Sequence, residues 1–281
     1  MTRFVAYINT RRPEAIQHGK ELVGWLEDAN HECLLHYESA EAIDRPDLAI
    51  DESEINSNFK LAIALGGDGS VLRTVNAVGE HQIPVLGINF GRMGYLSEVE
   101  PEISRQRISQ FLEGDYEIQS RMRLEVHAKE KSSPLYGLNE VVVEKIDPGK
   151  TVRLSLEING DFFTSYATDA LIVATPTGST AYSMSARGPI VDPMHQALLL
   201  TPVAPHSLFD RALVLSRNDK LKISVLPDCE ASFAVDGNVI EQLEIGEEIR
   251  CAAARHPAQL VSFGGSNFHR ALKEKFGLSD R

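Results

Sequence analysis

Hydrophobic and polar positions follow two different spacings in the first third of the chain. Short apolar runs with the length and composition of buried strands lie at residues 4–8, 33–37, 61–65 and 83–88. Between these runs, apolar residues recur every three or four positions, first after Pro13 and again after the GGDG segment at 66–69, which predicts helices. Because strands that alternate with helices favour a parallel sheet with helices on its faces, we expect an α/β domain over residues 1–115.

The pattern changes near residue 116 to strands separated by turns. Asn159-Gly160 and Asp236-Gly237 each lie between apolar runs, and such pairs are strong signals of a tight hairpin. Further strand-like runs lie at 116–129, 135–145 and 170–174. The sequence therefore predicts a β-rich domain over 116–265, followed by a helix in the segment 266–281 that packs back on the first domain.

Composition and charge narrow the possible partners. The 281 residues include 40 acidic and 28 basic side chains, and 43% of them are hydrophobic, enough for a real core. The acidic balance argues against nucleic acid or an anionic membrane as the main partner, because both require clustered Lys and Arg. Residues 27–54 contain ten acidic side chains and one basic side chain, Arg45. We interpret this segment as a solvated surface or mobile loop rather than a cation site.

The cysteines and the absence of long apolar runs favour a soluble protein of the reducing cytoplasm. Cys33, Cys229 and Cys251 are far apart and odd in number, so they predict neither a disulfide framework nor a zinc motif. No stretch approaches the roughly 18 apolar residues of a membrane helix, and the N-terminus lacks the apolar run of a signal peptide. His31 and His36 have the wrong spacing for HExxH and are assigned to structure.

The strongest local signal is LGGDGSVLRT at 65–74, where a strand leads into three glycines and one aspartate at the start of a helix. Backbone N–H groups at such a position favour phosphate oxygens. A carboxylate beside phosphates is unfavourable unless it holds a metal or takes a proton, so Asp68 is interpreted as a general base or a Mg²⁺ anchor. A tight turn that caps a helix explains the same letters, and Arg73 is either an anion contact or a surface arginine.

A second signal is TPTGST at 175–180, between a predicted buried strand and a helix predicted to begin near Ser179. Hydroxyls and amides at a helix start suit phosphate or ribose, and Tyr182 and Ser185 add an aromatic face and a further hydroxyl. A plain strand-to-helix turn is the alternative, because Ser and Thr are preferred N-caps.

Polar residues also stand directly before two apolar strands. Asn139 and Glu140 precede a valine-rich run, and Asp169 precedes the run at 170–174. These side chains suit ribose hydroxyls, and an exposed strand start explains them equally well. The P-loop, the GxGxxG fingerprint and the GxSxG elbow are all absent from the sequence, which argues against three large enzyme groups.

Taken together, these motifs are more specific than any one of them. The order GGDG, FGRMGYL, Asn-Glu before a valine-rich strand, D-x5-TPTGSTAYS and a VDG hairpin resembles the NAD kinase family from about residue 60 to the C-terminus. The resemblance implies a Rossmann-like N-terminal domain and a β-rich C-terminal domain. It further implies phosphorylation of the adenosine 2′-hydroxyl of NAD to give NADP, with Mg²⁺ and ATP, in a homodimer or homotetramer.

The family's motifs carry site residues onto this sequence. Asp68 is implied as the base, Gly66, Gly67 and Gly69 as the residues that admit the phosphates, and Asn139 and Glu140 as ligands of the adenosine ribose and diphosphate. The implied NAD pocket comprises Asp68, Gly69, Arg73, Tyr95, Asn139, Glu140, Arg153, Asp169, Thr180, Ala181, Tyr182, Ser183, Met184, Ser185, Ala204 and Asn238.

Two departures and two alternatives accompany the resemblance. Met93 and Tyr95 stand where Leu and Phe are commoner, and the acidic region before residue 60 matches weakly, which leaves the ATP surface open. GGDG is shared with diacylglycerol and sphingosine kinase relatives, so a lipid kinase is one alternative. A non-catalytic NAD(P) sensor is the other. Another nucleoside triphosphate or polyphosphate could replace ATP as the donor.

Overall fold

The structure is a computed structural model, and it describes residues 1–91, 94–128, 133–207, 209–264 and 267–278. Met93, in the FGRMGYL motif, and Lys129, the last residue of the predicted strand-like run 116–129, lie outside these residues. The chain forms two compact units, residues 1–120 with 258–281 and residues 121–257. No helix among the described residues is long and apolar enough to cross a membrane.

Helices and strands alternate early in the chain, and strands dominate later. The helices are α1 (Pro13–Asp28), α2 (Tyr37–Ala42), α3 (Asp68–Val78), α4 (Ser104–Glu113), α5 (Tyr182–Ser185) and α6 (Asn267–Phe276). The strands are β1 (Arg3–Ile8), β2 (Glu32–His36), β3 (Ala49–Ile50), β4 (Leu61–Gly66), β5 (Val85–Asn89), β6 (Glu117–Arg121), β7 (Leu124–Ala128), β8 (Leu135–Gly137), β9 (Glu140–Lys145), β10 (Val152–Ile158), β11 (Asp161–Thr168), β12 (Ala170–Ala174), β13 (Ala197–Val203), β14 (Leu213–Ser216), β15 (Leu221–Val225), β16 (Ala231–Val235), β17 (Asn238–Leu243), β18 (Glu248–Ala253) and β19 (Ala258–Ser262).

The first unit has the expected α/β architecture. Among the described residues, seven strands form one sheet in the order β3-β2-β1-β4-β5-β19-β6, and the pairs from β3 to β5 are parallel. Strand β4 is buried at every position because helices cover both faces of a parallel sheet. The order of the strands reverses between β1 and β4. Such a reversal opens a crevice at the carboxyl ends of the two strands, where ligands bind in open α/β sheets.

The second unit is an antiparallel β-sandwich. Its described strands form two six-stranded sheets, β11-β10-β15-β18-β7-β8 and β14-β13-β12-β9-β16-β17. Alternate residues of both sheets, such as Leu154 and Val143, fill one core, as expected for packed antiparallel sheets. The predicted hairpins are confirmed: Asn159-Gly160 and Asp236-Gly237 have positive φ at both positions, which tight two-residue turns require.

The predicted domain boundaries at 115/116 and 265/266 stay a prediction. The compact units found here change at 120/121 and 257/258, because β6 and β19 both belong to the first sheet. The C-terminal helix α6 lies in the first unit, as expected.

Three sequence predictions need correction. The run 116–129 is two strands, because β6 joins the sheet of the first unit and β7 joins the sandwich. The run 135–145 is also two strands, since the N–H groups of Leu138 and Asn139 donate to a side chain instead of a strand. The helix expected from Ser179 is only the 3₁₀ turn Thr177–Thr180 followed by the single turn α5.

Candidate active site

The crevice of the first unit lies where the strand order reverses. It is a cavity of about 550 Å³, lined by residues that follow β1, such as Asn9 and Arg12, and by residues that follow β4, such as Gly67 and Ser70. Strand β4 ends at Gly66 and helix α3 begins at Asp68. The free N–H groups at the start of α3 and the positive end of its dipole make this cavity suitable for an anion.

The three glycines of GGDG are in two different environments, one close-packed and two open. A Cβ on Gly66 would lie 2.0 Å from the Ser70 Oγ, so this glycine permits close packing of the strand against the helix. A Cβ on Gly67 or Gly69 would meet nothing within 4 Å. Both of these glycines line the cavity, so they are the pair that leaves room for phosphate oxygens.

Arginine side chains give the cavity a positive lining. Arg11, Arg12 and Arg73 all contribute to its wall, and the Arg12 guanidinium donates to the carbonyl of Phe90. Arg73 forms an ion pair with Glu38, with Nη2 2.7 Å from Oε2. The acidic segment is thus more than a solvated surface, because one of its carboxylates holds an arginine at the rim of the cavity.

His36 also contacts the Arg73 guanidinium. It is buried, stacks on Tyr7 with ring centroids 5.4 Å apart, and has Nδ1 3.3 Å from Nη2 of Arg73. Burial, followed by the positive charge of Arg73, lowers the pKa of His36, so the neutral ring is favoured. The structural role assigned to this histidine from the sequence is consistent with these contacts.

Asp68 gathers three successive N–H groups of the segment that follows β5. Its Oδ2 accepts from the N–H of Tyr95 at 2.8 Å. Its Oδ1 accepts from the N–H groups of Leu96 and Ser97 at 3.1 and 3.3 Å, and from the Ser97 hydroxyl. A Cβ on Gly94 would lie 1.9 Å from Oδ1, so this approach requires glycine. The carboxylate has a fixed direction, and Oδ2 retains a lone pair for another donor.

Tyr95 lies between this aspartate and the C-terminal helix. The Lys275 Nζ of α6 lies 3.7 Å from the centroid of the Tyr95 ring, and the Phe268 ring lies 6.2 Å from it. Burial, and then the Asp68 charge, raises the pKa of the Tyr95 phenol. Burial also lowers the pKa of Lys275, while Asp68 acts in the opposite direction. Helix α6 therefore adds a cation to the surroundings of Asp68.

In the second unit, the structure brings Asn139 and Glu140 together with the TPTG loop. Thr175 donates its N–H to the carbonyl of Asn139 at 2.8 Å and its hydroxyl to the carbonyl of Leu138 at 2.6 Å. A Cβ on Gly178 would lie 2.1 Å from the Asn139 carbonyl oxygen, so the TPTG loop needs its glycine for this contact. Two segments that the sequence placed 36 residues apart therefore form one rigid pair of loops.

The Glu140 side chain is buried, and only one of its two carboxyl oxygens has a hydrogen-bond partner among the described residues. The N–H of Tyr182 donates to its carboxyl group, whereas its Oε2 atom has no hydrogen-bond partner among the described residues. Burial, and then the charge of Asp236, raises the pKa of Glu140 to about 7. A buried acceptor without a partner costs free energy, so this atom is a candidate contact for a ligand hydroxyl.

The remaining predicted residues of this unit differ in accessibility. Asp169 and Tyr182 are partly exposed, and the Asp169 carboxylate pairs with the Lys145 Nζ at 2.7 Å. Ser183 is fully buried, and its hydroxyl lies 3.0 Å from that of Thr201. The half-buried residues are Thr180, Ala181 and Met184, and the exposed ones are Ser185, Arg153, Ala204 and Asn238. The described contacts do not link Arg153, Ala204 or Asn238 to Asn139 or Glu140.

Two residues near these sites were not predicted from the sequence to be functional. Asp236 was interpreted only as part of a hairpin turn, yet its carboxylate contacts the Asn139 and Glu140 main chain. Lys275 was interpreted only as part of a helix. The Asp-Gly signal predicts the turn correctly, but a contact across 97 residues has no local signal in the sequence.

Family models match both halves of the chain. A model of the ATP-NAD kinase N-terminal domain matches residues 5–116, and a model of the ATP-NAD kinase C-terminal domain matches residues 138–263. Among solved structures, a yeast NADH kinase complexed with NADH superposes with a TM-score of 0.90 at 27% identity, covering 100% of this chain and 89% of that one. An NAD kinase from Archaeoglobus fulgidus in complex with ATP has a TM-score of 0.77 at 26% identity, with 100% of both chains covered.

Relatives match along nearly the whole length. An NAD kinase from Moorella thermoacetica is 35% identical over 278 residues, covering 98% of this chain and 89% of the relative. An NAD kinase from Geotalea daltonii is 32% identical over 285 residues, and both chains are covered completely. The chain therefore belongs to the ATP-NAD kinase family, whose members are phosphotransferases with an alcohol group as acceptor.

Proposed function

We propose that the NAD kinase reaction of this chain, phosphorylation of the adenosine 2′-hydroxyl of NAD by ATP, uses Asp68 as the general base. One observation carries the assignment. Asp68 is a carboxylate at the N-terminus of α3, between the two glycines that line an arginine-rich cavity. Phosphoryl transfer mainly needs alignment of an acceptor hydroxyl and positive charge around the phosphates; Asp68 would act on the hydroxyl, and the arginines of the cavity would supply the charge.

The chemical step follows from these groups. The 2′-oxygen forms a bond to the γ-phosphorus while the bond from that phosphorus to the bridging oxygen of ADP breaks. The hydroxyl proton passes to the Asp68 carboxylate, whose Oδ2 accepts only the Tyr95 N–H among the described contacts. The hydrogen bonds from Leu96 and Ser97 hold Oδ1 in place meanwhile.

Recognition of NAD is assigned to the second unit. Asn139 and Glu140 would hold the adenosine ribose and diphosphate, which the unsatisfied Oε2 atom of Glu140 supports. Asp169, Tyr182 and Ser185 are accessible enough to contact a ligand. Thr180, Ala181 and Met184 complete the proposed pocket, with Ser183 contributing from the buried side of the loop.

A divalent metal, Mg²⁺, is the expected cofactor. Among the described residues, no group of three or more His, Cys, Asp or Glu side chains could hold a metal ion. Mg²⁺ does not require such a group, because it commonly binds through one or two carboxylates and the phosphates of the substrate. The phosphates of ATP would hold the ion, which would supply positive charge for the transferred phosphoryl group, and the Asp68 carboxylate keeps the role of base.

The proposal includes a cytoplasmic location and a homodimer or homotetramer. Exposed apolar side chains on strands of the second unit support self-association, since Phe162 and Val239 are each 68% exposed. The lipid kinase alternative is not favoured, because relatives that match nearly the whole chain are NAD kinases. A sensor without activity would gain nothing from a carboxylate beside phosphates.

The test is a direct assay of product. Purified protein with Mg²⁺, ATP and NAD should form NADP, detected with an NADP-specific dehydrogenase. Parallel reactions with NADH, with other nucleoside triphosphates and with polyphosphate define the acceptor and the donor. Failure to form NADP or NADPH with every donor would refute the proposed function, and tight NADP binding without turnover would identify a sensor.

A further inference from the structure

Asp236 occupies an unusual position at the tip of the β16–β17 hairpin. Its Oδ2 accepts from the N–H of Leu138 at 2.8 Å, and its Oδ1 accepts from the N–H groups of Asn139 and Glu140 at 2.8 and 3.2 Å. The N–H of Asp236 in turn donates to the Glu140 carbonyl at 3.0 Å. One residue thus makes four hydrogen bonds to three successive residues about a hundred positions away.

The surrounding backbone is built for this contact. Asp236 has φ of 48° and Gly237 has φ of 77°, a turn that favours Asp or Asn followed by Gly and points the side chain back toward β9. A Cβ on Gly137 would lie 3.2 Å from the Asp236 Oδ1, so the approach is close on the far side as well. Strand β16 pairs with β9, which fixes the distance between the turn and the loop.

The contact determines where two side chains point. The loop 138–139 interrupts β8 and β9, so its N–H groups lack strand partners and would otherwise be free to rotate. Asp236 fixes the N–H side of this loop, and Thr175 fixes its carbonyl side. Charge-assisted hydrogen bonds are about twice as strong as neutral ones, so a carboxylate makes a stiff support.

We propose that Asp236 is a positioning residue for the dinucleotide, which aligns Asn139 and Glu140 by holding the main chain of 138–140. The inference rests on the proposed function, since it assumes that these two side chains contact NAD. Asp236 acts on the substrate through the loop and does not take part in the transfer step itself.

The test is Asp236→Asn with Asp219→Asn as the matched control. Asn-Gly is itself a preferred hairpin pair, so the turn should form in the variant while the charge of the support is lost. We expect KM for NAD to rise about tenfold or more, with KM for ATP unchanged, because the amide has no charge and its NH2 group cannot accept the N–H that one carboxylate oxygen accepts. Asp219 accepts the N–H of Ser216 and the Asn159 amide in an exposed turn, so its variant should keep wild-type kinetics.

A pH profile separates positioning from mere structural support. The groups that act on the Glu140 carboxyl are the Asp236 carboxylate and the N–H of Tyr182. Removing the Asp236 charge should shift the acid limb of kcat/KM for NAD to lower pH, and in a Glu140→Gln background this shift should disappear. A residue that only stabilises the fold would lower the melting temperature and leave the acid limb in place.

The outcomes are distinct. A wild-type enzyme that forms no NADP would refute the proposed function rather than the role of Asp236. An active enzyme whose Asp236→Asn variant retains wild-type KM for NAD and an unchanged acid limb would overturn the inference. If that variant does not fold, Gly137→Ala provides a second test, because its Cβ would lie 3.0 Å from Val235 Cγ1 and 3.2 Å from the Asp236 Oδ1. It should raise KM for NAD, and an unchanged KM there would also overturn the inference.

Discussion

Asp68 and Asp236, one in each unit, use the same device in different surroundings. Each carboxylate accepts hydrogen bonds from three consecutive backbone N–H groups, at 2.8 to 3.3 Å for Asp68 and 2.8 to 3.2 Å for Asp236. Each also lies against a glycine whose Cβ would press on its Oδ1. In both places an aspartate orders a loop that no strand ladder orders.

The surroundings decide what else each aspartate can do. Asp68 begins a helix, and its two neighbouring glycines, Gly67 and Gly69, line an open cavity with three arginines in its wall. Asp236 sits at a hairpin tip next to the buried carboxyl group of Glu140, which it makes harder to ionise. The hydrogen-bond pattern alone is therefore that of a loop support, and the proposed role of Asp68 as base depends on the arginine-lined cavity next to it.

The largest expected effect comes from Asp68→Asn. The amide keeps the shape of the carboxylate but cannot take the proton, so kcat should fall by about 10²–10⁴-fold. NAD binding should largely survive, because Asn139 and Glu140, which are proposed to hold the adenosine ribose and diphosphate, lie in the second unit. Steady-state kinetics and calorimetry with NAD measure the two quantities separately.

Comparison of Asp68→Asn with Asp236→Asn sharpens the distinction between the two aspartates. We expect the first variant to lose kcat and the second to lose affinity for NAD. A near-normal turnover for Asp68→Asn would remove this residue from the role of base and reduce both aspartates to loop supports.

Glycine substitutions test the two supports by steric pressure. An alanine at 94 would place Cβ 1.9 Å from the Asp68 carboxylate, and an alanine at 178 would place it 2.1 Å from the Asn139 carbonyl. A displacement of about 1 Å in a site can cost about 10²-fold in rate, so both variants should lose activity on that scale. Gly94→Ala should act mainly on kcat and Gly178→Ala mainly on KM for NAD.

Gly24→Ala provides the control for these variants. Gly24 lies inside α1, and a Cβ there would meet nothing within 4 Å. The control should retain full activity and gain about 0.5–1 kcal/mol of stability, since alanine is the better helix former. If Gly94→Ala or Gly178→Ala were as active as this control, the close approach of that glycine to Asp68 or to Asn139 would not be needed for activity.

Much of this architecture could be predicted from the sequence, because its signals are local. The apolar run 61–65 followed by GGDG predicts a strand, a glycine turn and a helix, and β4 and α3 are found there. Asp236-Gly237 predicts its hairpin for the same reason. The activity was predicted from the resemblance of the motifs to the NAD kinase family, and the relatives support it.

The unpredicted features depend on contacts between distant parts of the chain. Glu38 was one acidic residue among ten, and only the fold places it 2.7 Å from Arg73. The three glycines of GGDG look alike in the sequence, but only Gly67 and Gly69 face open space. The helix predicted to begin near Ser179 is only one turn long, and the Ser179 hydroxyl donates to the carbonyl of Val191, a contact that no local pattern signals.

A third aspartate, Asp169, differs from the other two because it pairs with a side chain. Its carboxylate contacts the Lys145 Nζ at 2.7 Å and remains 39% exposed. We expect Asp169→Ala to weaken NAD binding about tenfold, the loss of one charge-assisted hydrogen bond, and to leave ATP binding unchanged. Calorimetry with each ligand measures both affinities.

Lys145→Met distinguishes the ways in which Asp169 could act. If Asp169 contacts NAD directly, removal of the lysine should change NAD affinity much less than removal of the carboxylate. An equal weakening of NAD and ATP binding by Asp169→Ala would contradict its assignment to the NAD pocket.

The smallest expected effect is a pH-dependent gain in stability from Glu140→Gln. Glu140 has an ordinary pKa of 4.5 and a folded-state pKa of about 7, raised by burial and by Asp236. Between these values the folded protein keeps a proton that the unfolded chain has released, so this group lowers stability as pH rises through the window. Glutamine removes the cost, and the melting temperature of the variant relative to wild type should be higher at pH 8 than at pH 5 by at least about 2–4 °C. Asp236→Asn should reproduce part of the gain, because the Asp236 charge is one of the two causes that raise the pKa of Glu140. If the melting temperature of Asp236→Asn differed from wild type by the same amount at pH 5 and pH 8, Glu140 and Asp236 would not be electrostatically coupled.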